Sequence, residues 1–102
     1  MSEALVQQAQ EYARAYAVSS DEALRRLQLM KPAEDYLHRI EALFPGRYAG
    51  GWFANESSSF ELHLRFTHGP ALLDPAAVGD TLGLPVRVDN SAESPGTGGA
   101  HQ

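Results

Sequence analysis

The sequence predicts an α+β fold: two N-terminal helices packed on one face of a small, three-stranded, mainly antiparallel sheet, with one short crossover helix. Three observations point there. Apolar residues keep helical spacing as far as Phe44, the segment Phe60 to Thr67 alternates without an error, and a short capped helix followed by a valine-rich run completes the chain's ordered part.

Leu5, Ala9, Tyr12, Ala13 and Tyr16 fall on one side of a helix over about residues 3 to 17, with Gln7, Gln8, Glu11 and Arg14 opposite. Ser19-Ser20-Asp21-Glu22 starts a second helix. With Ser19 as N-cap, Glu22 stands at the third helical position and completes a capping box, and both acids sit at the positive end of the helix dipole. Leu24, Leu27, Met30, Leu37, Ile40, Leu43 and Phe44 carry this helix over about residues 20 to 44, with a bend expected at Pro32, and Pro45-Gly46 ends it.

The period then changes from helical to alternating. Tyr48 to Ala54 reads as a strand, Asn55 to Ser59 as a hairpin connection, and Phe60 to Thr67 as a strand with Phe60, Leu62, Leu64 and Phe66 on one face and Glu61, His63, Arg65 and Thr67 on the other. Asp74 as N-cap with Pro75 behind it opens a short helix that Gly83 closes. Val86 to Val88 is the last strand. A right-handed crossover through the short helix would set that strand beside the first and antiparallel to it, in the order 2-1-3. Residues 1–88 then form a single domain, and the unperiodic residues 89–102 a flexible tail.

Composition limits the function. Eight Lys+Arg against 13 Asp+Glu leave a net charge of -5 over 102 residues, which argues against non-specific nucleic-acid binding. With no cysteine there is neither a disulfide frame nor a thiol nucleophile or ligand. No apolar run reaches the roughly 20 residues of a membrane helix, and the N-terminus has no basic start with an apolar stretch, so the chain as written reads as cytosolic.

No catalytic constellation emerges. His38 belongs to a charged helix face near Asp35, His101 lies in the tail, and His63 and His68 have no third ligand at a metal spacing, so neither metal nor cofactor is expected. The acid pairs Asp21-Glu22 and Glu34-Asp35 are explained by helix first turns. Ser57-Ser58-Ser59 lacks the glycine elbow of a nucleophile, and Gly50-Gly51 lacks the lysine and serine of a phosphate loop. A small hydrolase built on His63 with Glu61 is the weakest reading, for want of a nucleophile or oxyanion site.

The first strand is apolar on both faces, with Phe53 on one and Tyr48 and Trp52 on the other. If Phe53 points to the helices, Tyr48, Trp52, Glu61, His63 and Arg65 form an aromatic, charged surface suited to a partner. If Trp52 points inward, that surface disappears. The adjacent glycines also admit close approach of another backbone, and a short sheet has edges that a partner strand can extend.

The run Tyr16-Ala17-Val18-Ser19-Ser20-Asp21-Glu22-Ala23-Leu24-Arg25-Arg26-Leu27, then Arg47-Tyr48-Ala49-Gly50-Gly51-Trp52-Phe53, then the alternating strand ending Phe66-Thr67, resembles one module of the pro-regions of bacterial secreted serine proteases of the alpha-lytic protease and streptogrisin type. The likeness spans roughly residues 12 to 88, with His68 to Leu73 as an insertion. It implies a non-enzymatic folding chaperone and inhibitor that binds a protease through sheet and helix surfaces, and an exported protein. The expected role is therefore a protein-binding module, contacting another polypeptide or a second copy of itself. The alternative is an accessory or structural domain of a larger protein, with the tail as its linker.

Overall fold

The computed structural model describes residues 3–92. Helices α1 (Glu3–Tyr16) and α2 (Ser20–Leu43) are followed by strands β1 (Tyr48–Asn55) and β2 (Phe60–Thr67), helix α3 (Pro75–Leu82) and strand β3 (Val86–Ala92). The α+β class and the element order are those the sequence predicts.

The helix ends show why these segments fold locally. Ser19 Oγ accepts from the Glu22 N–H at 3.0 Å, as an N-cap should. Only half of the expected capping box forms, because the Glu22 carboxylate turns away from the Ser19 backbone to bind Arg25 and Arg26. Helix α1 ends without a glycine. Ala17 takes the left-handed conformation, with φ 56°, and the Val18 N–H returns to the Ala13 carbonyl at 3.1 Å. Pro32 sits inside the continuous α2 helix, where its missing N–H leaves the Gln28 carbonyl without that donor. Asp74 caps α3 through the Ala76 N–H, and Gly83 closes it with φ 83°.

All four apolar residues of β2 are buried, and they pack with Ala33 and Ile40 of α2 and with Val78, Leu82 and Leu84. The strand with the bulkiest buried face therefore takes the centre of the sheet. The order is β1-β2-β3, so the expected place of the third strand beside the first is corrected. Its direction agrees with expectation: β1 pairs antiparallel and β3 parallel to β2, giving a mixed sheet. The cause is the short return from α3. Leu84 drops into the core beside Phe60 and Leu62, and the Leu62 N–H donates to the Pro85 carbonyl at 2.9 Å, which starts β3 against β2. Strand β3 continues to Ala92, so residues 89–92 belong to the sheet and not to a tail. The remainder of the expected tail, residues 93–102, lies outside the described residues.

Arg26 of α2 is the most unusual core residue, with 2% of its surface exposed. Its Nε donates to Glu22 Oε2 at 2.6 Å, and its Nη1 donates to the Glu56 carbonyl at 2.7 Å and reaches the Tyr12 hydroxyl at 3.4 Å. The guanidinium carbon lies 5.4 Å from the centroid of the Phe60 ring. The Tyr12 hydroxyl in turn donates to Asn55 Oδ1. One side chain thus joins α1, α2, the hairpin loop and the start of β2.

Replacing Arg26 with alanine leaves Glu22, Tyr12 and the Glu56 carbonyl without their shared donor, and urea denaturation should show a loss of about 3 kcal/mol. Arg26→Lys should recover only part of it, since an ammonium cannot fork to these acceptors. Stability should also respond to pH through Glu22. Hydrogen bonds from Arg25 and then Arg26 lower its carboxyl from 4.5 to about 2. Its contribution is therefore complete above the ordinary glutamate range and is lost as pH falls toward 2. Acid titrations of stability for the wild type and Glu22→Gln should converge near pH 2, separate as the pH rises to about 4.5, and keep a constant difference above it.

Candidate functional site

Helices α2 and α3 cover one face of the sheet and leave the other open, whereas α1 packs on α2 and reaches the sheet through the Tyr12 hydrogen bond to Asn55. Across the three strands, Trp52, His63 and Arg87 occupy one row, and Gly50, Arg65 and Asp89 the next. Ala54 stands beside Glu61 at the hairpin end.

Phe53 points to the covered face, where its ring stacks on Phe60 with centroids 5.5 Å apart and 8° between planes. Alternation then sends Trp52 outward, where it is 46% exposed. Its ring lies 5.3 Å from that of His63 and 25° from parallel, a stacked cross-strand pair. The orientation that the sequence left open is thereby decided for Phe53 inward.

Tyr48 is the correction. It packs inward, its ring centroid 6.1 Å from that of Phe66 in a tilted edge contact, and does not join Trp52 on the open face. The register shifts between Tyr48 and Gly50, a bulge that adds one residue and inverts the alternation upstream of it. Gly50 makes this possible, with φ 144° in a region open to glycine. Burial, with the charge of Glu41 adding to it, pushes the Tyr48 phenol above its usual pKa. Glycine inside a strand was the available signal, because such glycines often mark bulges.

The other predicted site residues, Trp52, Glu61, His63 and Arg65, do share the open face, and they are joined by two residues that the sequence reading missed. Glu61 Oε1 lies 3.2 Å from His63 Nε2, and both Glu61 oxygens accept from Arg87 at 3.4 Å. The Arg87 hydrogen bond, followed by that of His63, holds the Glu61 carboxyl below its usual range. Arg65 Nε is 3.8 Å from Asp89 Oδ2. Asp89 also accepts from the Ser91 hydroxyl and backbone N–H, and these bonds lower its pKa. The alternation Val86-Arg87-Val88-Asp89 puts Arg87 and Asp89 on one face of their strand, and it is the pairing of that strand with β2 that brings them to His63 and Arg65.

The face is thus an aromatic platform framed by two acids and two guanidinium groups, balanced in charge although the chain carries -5. Among the described residues, no cluster of three or more His, Asp or Glu residues is arranged to hold a metal ion. No described helix is long and apolar enough to cross a membrane. No protein-family profile matches the chain, and neither curated proteins nor solved structures give a significant match.

Because Trp52 stands on the open face, Trp52→Ala should cost no more than about 1 kcal/mol by chemical denaturation. Phe53→Ala, which empties the Phe60 stack on the covered face, should cost about 3 kcal/mol. Equal costs would contradict the assignment of the two faces.

Proposed function

We propose that this protein is a non-enzymatic protein-binding module that contacts another polypeptide through its open sheet face. The observation that carries the reading is Trp52, a half-exposed indole stacked on His63 within a balanced frame of Glu61, Arg65, Arg87 and Asp89. Large aromatic residues and arginines are the side chains that dominate protein interfaces, and they do so where surrounding polar groups can pair across the rim. The charge balance of the face also favours a protein partner over a polyanion.

Binding and not hydrolysis is the chemistry that suits Glu61 and His63. A general base works best with a pKa near the working pH. Glu61, held low by Arg87 and His63, is a weak proton acceptor and a good ion-pair partner. The resemblance of the chain to protease pro-region modules supports a secreted serine protease as the partner, with the module acting in a chaperone- or inhibitor-like way.

Calorimetric titration and inhibition assays against streptogrisin-type proteases test this reading. Saturable binding is expected, weakened about tenfold or more by Trp52→Ala, whose fold is checked by circular dichroism. Binding that Trp52→Ala leaves unchanged would move the interface elsewhere, and neither binding nor inhibition with any such protease would remove the protease as partner.

A further inference from the structure

We infer that β1 also joins two copies of this chain, pairing antiparallel with β1 of a second molecule about a two-fold axis at Trp52. Strand β1 is an edge of the sheet, paired with β2 alone among the described residues. Edge strands are usually guarded by charge or proline, since their free N–H and C=O groups recruit other strands. The two edges here differ in that respect. Strand β3 carries Arg87 and Asp89, whereas Tyr-Ala-Gly-Gly-Trp-Phe-Ala-Asn, the whole of β1, holds no charged residue and no proline.

The hydrogen-bond phase shows which groups are available. The Glu56 N–H donates to the Ser59 carbonyl at 3.0 Å, so 56 and 59 are a hydrogen-bonded pair of the hairpin. In an antiparallel ladder such pairs recur at every second residue, which places Ala54 with Glu61, Trp52 with His63 and Gly50 with Arg65 in the same phase. Gly51, Phe53 and Asn55 therefore direct their backbone groups to the free edge. Asn55 is engaged by Tyr12, and its Nδ2 lies 3.5 Å from the Phe53 carbonyl, at the limit of a hydrogen bond. Gly51 and Phe53 are left as the docking residues.

One register engages both docking residues at once. Centred on Trp52, Gly51 of one copy faces Phe53 of the other, and each such pair can exchange both of its bonds. Trp52 then faces Trp52 in a non-hydrogen-bonded pair, where cross-strand side chains approach most closely. Phe53 meets a glycine, with no side chain to obstruct it. A strand paired with itself in this way is self-complementary, as a two-fold interface requires, and the absence of charge leaves no like-charge repulsion along the seam. The two open faces would merge into one surface, with the tryptophans at its centre and Arg87 and Asp89 toward its rims.

Sedimentation equilibrium over a wide concentration range tests the pairing, and a substitution at the axis locates it. The wild type should approach a dimer as concentration rises, with Trp52, the only tryptophan, shifting its emission to the blue. Trp52→Lys, which sets two cations opposite each other, should weaken the dimer about tenfold while the circular dichroism spectrum is retained. In a chain without cysteine, Trp52→Cys should cross-link to a disulfide dimer under mild oxidation much faster than the control Arg87→Cys. A wild type that stays monomeric, a dimer insensitive to Trp52→Lys, or equal cross-linking of the two cysteine variants would each overturn the pairing. None of these results depends on whether the open face binds a different protein.

Discussion

The buried guanidinium of Arg26 is the constraint around which the other elements are arranged. An isolated charge in an apolar interior is costly enough that it must be met by a counter-charge and hydrogen bonds. Burial opposes its ionised form, and the hydrogen bonds it donates to Tyr12 and Glu22 more than offset that, leaving its pKa raised. The acceptors come from three separate parts of the chain: Glu22 from the first turn of α2, Tyr12 from α1 and the Glu56 carbonyl from the hairpin. Each must be correctly placed for the charge to be tolerated. The apolar contacts of α1 are modest, chiefly Ala9 and Tyr12 against Ala23, so this polar junction also locates α1.

From that junction the asymmetry of the sheet follows. Phe60, under the guanidinium, begins β2 with its ring on the covered side, and alternation carries Leu62, Leu64 and Phe66 to the same side. The polar residues of β2 are then presented outward, and the antiparallel register brings Trp52 beside His63. The open face is therefore a consequence of how the core is filled. A second consequence is that β1, with two glycines and a bulge, is left at the edge, while the strand richest in buried bulk is enclosed.

Much of the secondary structure was legible in the residues. Ser19, Asp74 and Gly83 act as the caps their chemistry suggests, and β2 begins and ends where its alternation does. Four of the five predicted surface residues share one face. Tyr48 did not, because a single inserted residue at the bulge reverses every side chain before it, a change that periodicity alone does not register. Arg87 and Asp89 join the face because β3 lies beside β2 and not beside β1, a neighbour relation that local periodicity does not carry, and Asp89 lies one residue past the strand end expected at Val88. Arg26 looked like one more charged residue on a helix, since the groups that justify its burial are distant in sequence.

The sequence by itself determined the elements, their type and which face of β2 is apolar, because period and capping are local properties carried by residues a few positions apart. Tertiary structure decided which strand neighbours which, where Trp52 and Tyr48 point, and that a guanidinium is buried. Those outcomes depend on contacts between residues tens of positions apart, such as Arg26 with Glu56 and Leu62 with Pro85. They exist only once loop lengths, the bulge at Gly50 and the filling of the core are imposed together.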